Sequence, residues 1–157
     1  MAAKLSLNEA KERAGRFCAF RERSPNEVIE KIKSWGLTPS EAETIVDRLA
    51  ELNYVDEQRF ANAYCHDKFE FNSWGKQKIK SGIFPHRIAP RIIENALARI
   101  DSDRYENRLL ELARKKWDKL ATDDTMRRKQ KTVNYLANKG FEPDLIWDAI
   151  ALLEKGQ

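Results

Sequence analysis

One apolar pattern recurs three times along this chain, and it constrains the fold more than any other feature. With Leu37, Ile88 and Phe141 as anchors, the copies lie 51 and 53 residues apart. Five residues before each anchor stand Ile32, Ile83 and Leu136, and two after stand Pro39, Pro90 and Pro143. Further on, Ala42, Ile93 and Ile146 match, as do Ile45, Ala96 and Ala149. Val46, Leu97 and Ile150 follow, then Leu49, Ile100 and Leu153. Every slot is apolar or proline in all copies. The steps of three and four are those of one buried helix face. A proline shared at the same helix start is hard to obtain by accident, because only the first turn tolerates its missing N–H.

Start signals divide each copy into short helices. Ser24-Pro25-Asn26-Glu27 and Thr38-Pro39-Ser40-Glu41 each read as a capping box with proline at the first helical position. Gly36 stops the helix carrying Val28, Ile32 and Trp35. Asn8 is the expected cap of a first helix through Ala10, Ala14, Phe17 and Cys18. Asp56 opens a helix to about Phe71, and Asn72-Ser73 is expected to cap another beginning at Trp74. Pro90, Asp101-Ser102-Asp103, Asp123-Asp124-Thr125 and Pro143 open the rest. The expected fold is all-α: three tandem three-helix, helix-turn-helix-like repeats forming an elongated, curved array. The expected boundaries are a flexible tail at 1–7 and repeats at 8–55, 56–102 and 103–157. Gly36 and Gly140 precede two anchors, but Arg87 precedes the middle one. The middle turn is therefore expected to avoid the left-handed conformation that glycine tolerates, with a longer or bent helix near Gly82.

Charge is unevenly spread. The net charge of the chain is +4. Residues 1–55 carry nine basic and nine acidic side chains, residues 68–91 six against one, and residues 114–139 nine against three. Lys76 and Lys80, four apart, share a helix face, with Arg87 and Arg91 one turn on. Arg127, Arg128 and Lys131 belong to a second patch that includes Arg114, Lys115 and Lys116. Such blocks suit phosphate or an acidic protein surface. Trp74, Trp117 and Tyr64 lie near them and could stack on bases, though core packing is the commoner use of such rings.

No catalytic constellation stands out. His66 and His86 are isolated, Cys18 and Cys65 fall on apolar helix faces as small buried hydrophobes, and no phosphate-binding glycine loop occurs. Asp123-Asp124 reads as a helix cap rather than a metal site. No cofactor is expected. The two cysteines form no disulfide framework, the N-terminus lacks a signal-peptide core, and no run approaches the ~20 apolar residues of a bilayer span. These features point to a protein of the reducing cytoplasm.

The stretch Asn53-Tyr54-Val55-Asp56-Glu57-Gln58-Arg59-Phe60-Ala61-Asn62-Ala63-Tyr64 resembles the central signature of the RecX family, the regulators of RecA recombinase. Trp74-Gly75-Lys76 followed by Ile79 is similar to the same signature. Arg21-Glu22-Arg23-Ser24 with Gly36-Leu37 resembles the family's first module, and Lys139-Gly140-Phe141 with Ile146 its last. The resemblance covers about residues 8–153, and Arg87 departs from the family's glycine. In the signature, Asp56 is assigned to capping and Phe60, Ala61, Tyr64, Trp74 and Gly75 to structure. The resemblance implies a non-enzymatic, monomeric protein of homologous recombination, DNA repair and the SOS response. It implies binding in the groove of the RecA filament on single-stranded DNA, with inhibition of ATPase and strand exchange. Single- or double-stranded DNA is a further implied partner. The basic side chains Lys76, Lys80, Arg87, Arg91, Arg127, Arg128 and Lys131 are the expected contacts. The alternative is a stand-alone DNA-binding protein built of helix-turn-helix-like modules. Against it, the third helix of each module is mostly apolar and carries acidic residues.

Overall fold

The computed structural model describes residues 4–156. The helices are α1 (Leu7–Phe20), α2 (Pro25–Lys33), α3 (Pro39–Glu51), α4 (Glu57–Asn72) and α5 (Lys76–Ile83). A short 3-10 helix (Phe84–His86) follows, then α6 (Pro90–Ala98), α7 (Ser102–Lys119), α8 (Thr125–Asn138) and α9 (Pro143–Lys155). No strand occurs among the described residues, and no helix among them is long and apolar enough to cross a membrane.

The recurring slots form the core. All of them are buried except the prolines and the half-buried Ile93 and Ile100. The start signals act as their chemistry requires. Both capping boxes close reciprocally, Ser24 with Glu27 and Thr38 with Glu41. Asp56 accepts from the Arg59 N–H at 2.8 Å, and Asp101 and Asp124 cap α7 and α8 in the same way. Cys18 and Cys65 are buried thiols.

Several local expectations give way. Ser6, not Asn8, caps α1, because its side chain accepts from the Glu9 N–H and helix geometry is already established at Leu7. Of the expected tail, residues 1–3 lie outside the described residues. Lys4 pairs with Glu41 at 2.9 Å, and the Leu5 N–H donates to the Trp35 carbonyl. The Asn72-Ser73 cap does not form. Ser73 takes φ 54 and ends α4, Trp74 is non-helical, and α5 starts at Lys76.

The middle turn also departs from expectation. Arg87 itself is left-handed (φ 56, ψ 40), after the 3-10 turn. Gly36 and Gly140 occupy positive φ at 91 and 94. The residue before every anchor is therefore left-handed, and each donates its N–H three residues back, to Lys33, Phe84 and Ala137. The turn is set by the need to seat the anchor side chain in the core, and this overrides the side chain's own preference. A non-glycine residue there carries roughly 1–2 kcal/mol of strain. Arg87→Gly relieves it but adds freedom to the unfolded chain, so a net stabilisation of about 0.5–1 kcal/mol is expected. The urea midpoint reads it; a lower midpoint would mean that the arginine side chain contributes more than its backbone costs.

Two compact units emerge, Met1–Tyr64 with Ile83–Ala96, and Cys65–Gly82 with Leu97–Gln157. The middle repeat contributes to both. The first unit packs α1–α3 around Val28, Ile32, Ala42 and Leu49, with fully buried Ala10 and Ala14 facing them from α1. The second packs α7–α9, with Phe69, Tyr105 and Phe141 in a run of ring contacts at 5.7 and 5.3 Å.

Candidate functional site

In the second unit, two glycines let one backbone lie directly on another. The Gly75 N–H donates to the Lys139 carbonyl at 2.7 Å, and the Gln77 N–H donates to the Gly140 carbonyl at 3.0 Å. A Cβ on Gly75 would stand 2.3 Å from the Gly140 carbonyl carbon, so no side chain fits between them. The neighbouring Lys76 N–H donates to the Tyr105 hydroxyl at 2.9 Å. Tyr105 in turn donates to the Glu142 carboxylate. The first turn of α5 is thus satisfied from a distant helix, which is why it needs no local cap. Burial first, and then the bond to Glu142, hold the Tyr105 phenol far above its usual pKa, so it remains a neutral donor. Arg108 reinforces the same region from α7. Its guanidinium donates to the Phe69 carbonyl at 2.9 Å and to Ser73 Oγ at 3.1 Å, and lies 4.7 Å over the Phe69 ring.

This crossing gathers cations around aromatic rings. The ammonium groups of Lys68 and Lys78 lie 4.9 and 4.8 Å from the centre of the half-buried Trp74 ring. Lys76 Nζ lies 5.0 Å from the Tyr105 ring. Lys139 Nζ donates to the Asn72 carbonyl at 2.9 Å. The Lys139 pKa is depressed, mainly by burial and secondarily by the charge of Lys78. Among the described residues, Lys76, Lys78 and Lys139 make no ion pair with a carboxylate. The crossing therefore presents a concentrated positive surface bearing a partly accessible indole.

The expected contact residues fare differently. Lys76 and Lys80 lie one turn apart on α5, the first half-buried and the second exposed. Arg87 and Arg91 are exposed in the first unit and form no ion pair among the described residues. The third-module residues are engaged within the fold. Lys131 pairs with Asp123 at 2.7 Å and Arg127 with Asp124 at 3.7 Å. Arg128 donates to the Trp117 carbonyl at 2.9 Å and stacks 4.1 Å over its ring. Trp117 is buried, and so are Phe60, Ala61 and Gly75. Tyr64 is half-buried against Phe60 and His86. Lys68, Lys78 and Lys139 were not among the contacts expected from the sequence. All three belong to the basic blocks, and Lys139 also to the Lys139-Gly140-Phe141 motif, but nothing local announces that the segments around Gly75 and Gly140 meet.

One further cluster resembles catalytic chemistry and does not support it. Ser24 Oγ lies 2.8 Å from His86 Nδ1, and Glu27 Oε1 lies 3.6 Å from the same nitrogen. A nucleophile and an orienting carboxylate must sit on opposite ring nitrogens for a proton relay. Here they share one, and Ser24 is 0% exposed. The histidine instead buttresses the cap of α2, and burial, the largest influence, depresses its pKa and favours the neutral ring. Among the described residues no three His, Cys, Asp or Glu side chains are grouped as metal ligands.

Comparison with known proteins places all three repeats. Family models described as the first, second and third three-helix domains of RecX match residues 10–49, 56–97 and 103–150. The chain is 29% identical over 135 residues to the regulatory protein RecX of Chlorobium phaeobacteroides (strain BS1), covering 86% of this chain and 87% of that one. It is 30% identical over 126 residues to the regulatory protein RecX of Xanthomonas axonopodis pv. citri (strain 306), covering 80% and 76%. The crystal structure of RecX from Lactobacillus salivarius superposes with a TM-score of 0.87 at 22% identity, covering 94% of this chain and 96% of that one.

Proposed function

Because the chain belongs to the RecX family of regulatory proteins, we propose that it regulates RecA recombinase by direct binding, without chemistry of its own. It lowers filament ATPase and strand exchange by lying in the groove of the RecA filament on single-stranded DNA. The cation cluster at the Gly75–Gly140 crossing carries this reading. A surface on which Lys76, Lys78 and Lys139 have no carboxylate partner among the described residues favours association with an acidic surface or with phosphate. Three tandem modules give one chain the means to engage more than one protomer, so that it alters how neighbours extend or exchange. Lys76 and Lys80 are the first contacts to test, then Arg87 and Arg91. Arg127, Arg128 and Lys131 are weaker candidates, since each must first release a partner within the fold.

The test is titration into preformed RecA filaments, reading DNA-dependent ATP hydrolysis and co-sedimentation. Hydrolysis should fall at ratios well below one chain per RecA protomer. The pair of substitutions Lys76→Glu and Lys80→Glu should weaken binding and make its salt dependence shallower. No change in hydrolysis together with no co-sedimentation would remove RecA as the partner.

A further inference from the structure

We infer that the leucine groove between α7 and α9 receives the exposed Phe84 ring of a second copy of this chain, so that the protein self-associates head to tail. The inference does not rest on the RecA reading, and it departs from the monomer that the family resemblance implies.

Three observations carry it. The first is the groove. Leu109, Leu110, Leu145 and Leu152 line an open space of about 260 Å³ on the second unit. A leucine-lined space of about 150 Å³ is enough to take a benzene ring. Leu152 is left 58% exposed there. Glu106 and Asp148 line the same groove, both exposed and neither in an ion pair among the described residues. Asp103 and Asp144, one turn earlier on α7 and α9, are exposed as well. An apolar floor with an acidic edge suits an apolar group carried in cationic surroundings.

The second is the ring. Phe84 is 80% exposed, yet the 3-10 turn that bears it is fixed on the first unit. Asn26 Nδ2 donates to the Pro85 carbonyl at 3.2 Å, and Ser24 Oγ lies 2.8 Å from His86 Nδ1. The Arg87 N–H donates back to the Phe84 carbonyl at 3.1 Å. An aromatic side chain on an ordered backbone loses little entropy when it docks.

The third is charge. Residues 76–91 hold five basic side chains and no acidic one. Arg87 and Arg91, just after the ring, are exposed and form no ion pair among the described residues. The other exposed phenylalanines are set differently. Arg21, beside Phe20, pairs with Glu27 at 3.1 Å, and Phe71 directly follows Glu70. Phe84 is thus the ring whose surroundings complement the acidic groove. Ring and groove are different patches, so the contact is heterologous and each copy offers one of each.

The experiment is sedimentation velocity of the full chain, without RecA or nucleic acid, over a concentration series at low and high salt. The weight-average sedimentation coefficient of the wild type should rise with concentration, and less steeply at high salt, because the rim charges are exposed and screened. Phe84→Ala should weaken self-association by about tenfold or more, as loss of a central aromatic anchor does. So should the pair Glu106→Lys and Asp148→Lys, and so should Leu152→Gln, whereas Phe20→Ala should leave it unchanged. All these side chains but Phe84 and Phe20 belong to the groove, all are exposed, and circular dichroism verifies each fold. An equimolar mixture of the Phe84→Ala and Glu106→Lys/Asp148→Lys proteins should regain association but stop at two chains, since one intact ring meets one intact groove. A wild type that stays monomeric throughout would overturn the inference, as would a mixture that does not associate. So would a Phe84→Ala protein that self-associates normally and loses only RecA co-sedimentation, which would assign the ring to the recombinase.

Discussion

Gly75→Ala and Gly140→Ala should each destabilise the second unit by about 3 kcal/mol or more, the upper end of overpacking costs, because the added carbon meets backbone that cannot move aside. At Gly75 the added carbon would meet the Gly140 carbonyl oxygen at 2.4 Å and the Phe141 nitrogen at 2.4 Å. At Gly140 it would meet the Lys78 backbone nitrogen at 2.5 Å, and the residue would also be held at φ 94. The second penalty is separate from the first and about 1–3 kcal/mol by itself. Separation of the two segments would also break the Gly75–Lys139 and Gln77–Gly140 hydrogen bonds, so no small shift accommodates the methyl group. Gly15 supplies the opposite case. It lies inside α1, and a methyl group there would meet nothing within 4 Å beyond its own helix backbone. Gly15→Ala should therefore stabilise by roughly 0.5–1 kcal/mol, through backbone entropy alone. Urea unfolding of the three variants checks the reversal of sign. A Gly75→Ala protein as stable as the wild type would mean that the two segments do not touch.

Phe60→Ala should cost about 3–5 kcal/mol, the usual loss for deleting a buried aromatic ring. Phe60 is 3% exposed, and its ring contacts His86 at 4.8 Å and Tyr64 at 5.9 Å. Its removal leaves a cavity beside the histidine that supports Ser24, so cap and core weaken together. Phe71 lies on the same helix but is 79% exposed. Phe71→Ala should stay within about 0.5 kcal/mol of the wild type, as surface substitutions usually do. Calorimetry or urea unfolding distinguishes the pair. Equal effects at Phe60 and Phe71 would refute the assignment of the first to the core.

Much of the fold was legible because it is local. A capping box is read from four consecutive residues, and its hydrogen bonds close within one turn, as at Ser24 and Thr38. Helix faces follow from spacing, so Ile32, Ile83 and Leu136 could be placed inside from their positions alone. The left-handed Arg87 was not legible. Its own preference opposes that conformation, and the decision came from packing Ile88 into the core. Asn72-Ser73 looked like a cap for α5, but the donors of that first turn are satisfied by Gly75–Lys139 contacts and by Tyr105.

The candidate site divides along the same line. Basic blocks and aromatic residues are properties of the sequence, and they pointed towards a binding surface. Which cations act together is a property of the fold. The sequence alone determined the helices, their order, the threefold repeat and the family resemblance, because each is written in residues a few positions apart. Only tertiary structure brought Lys78 to Lys139, because that approach joins segments more than sixty residues apart through a backbone contact that two glycines permit, whereas Trp74 meets Lys68 and Lys78 within its own stretch of chain.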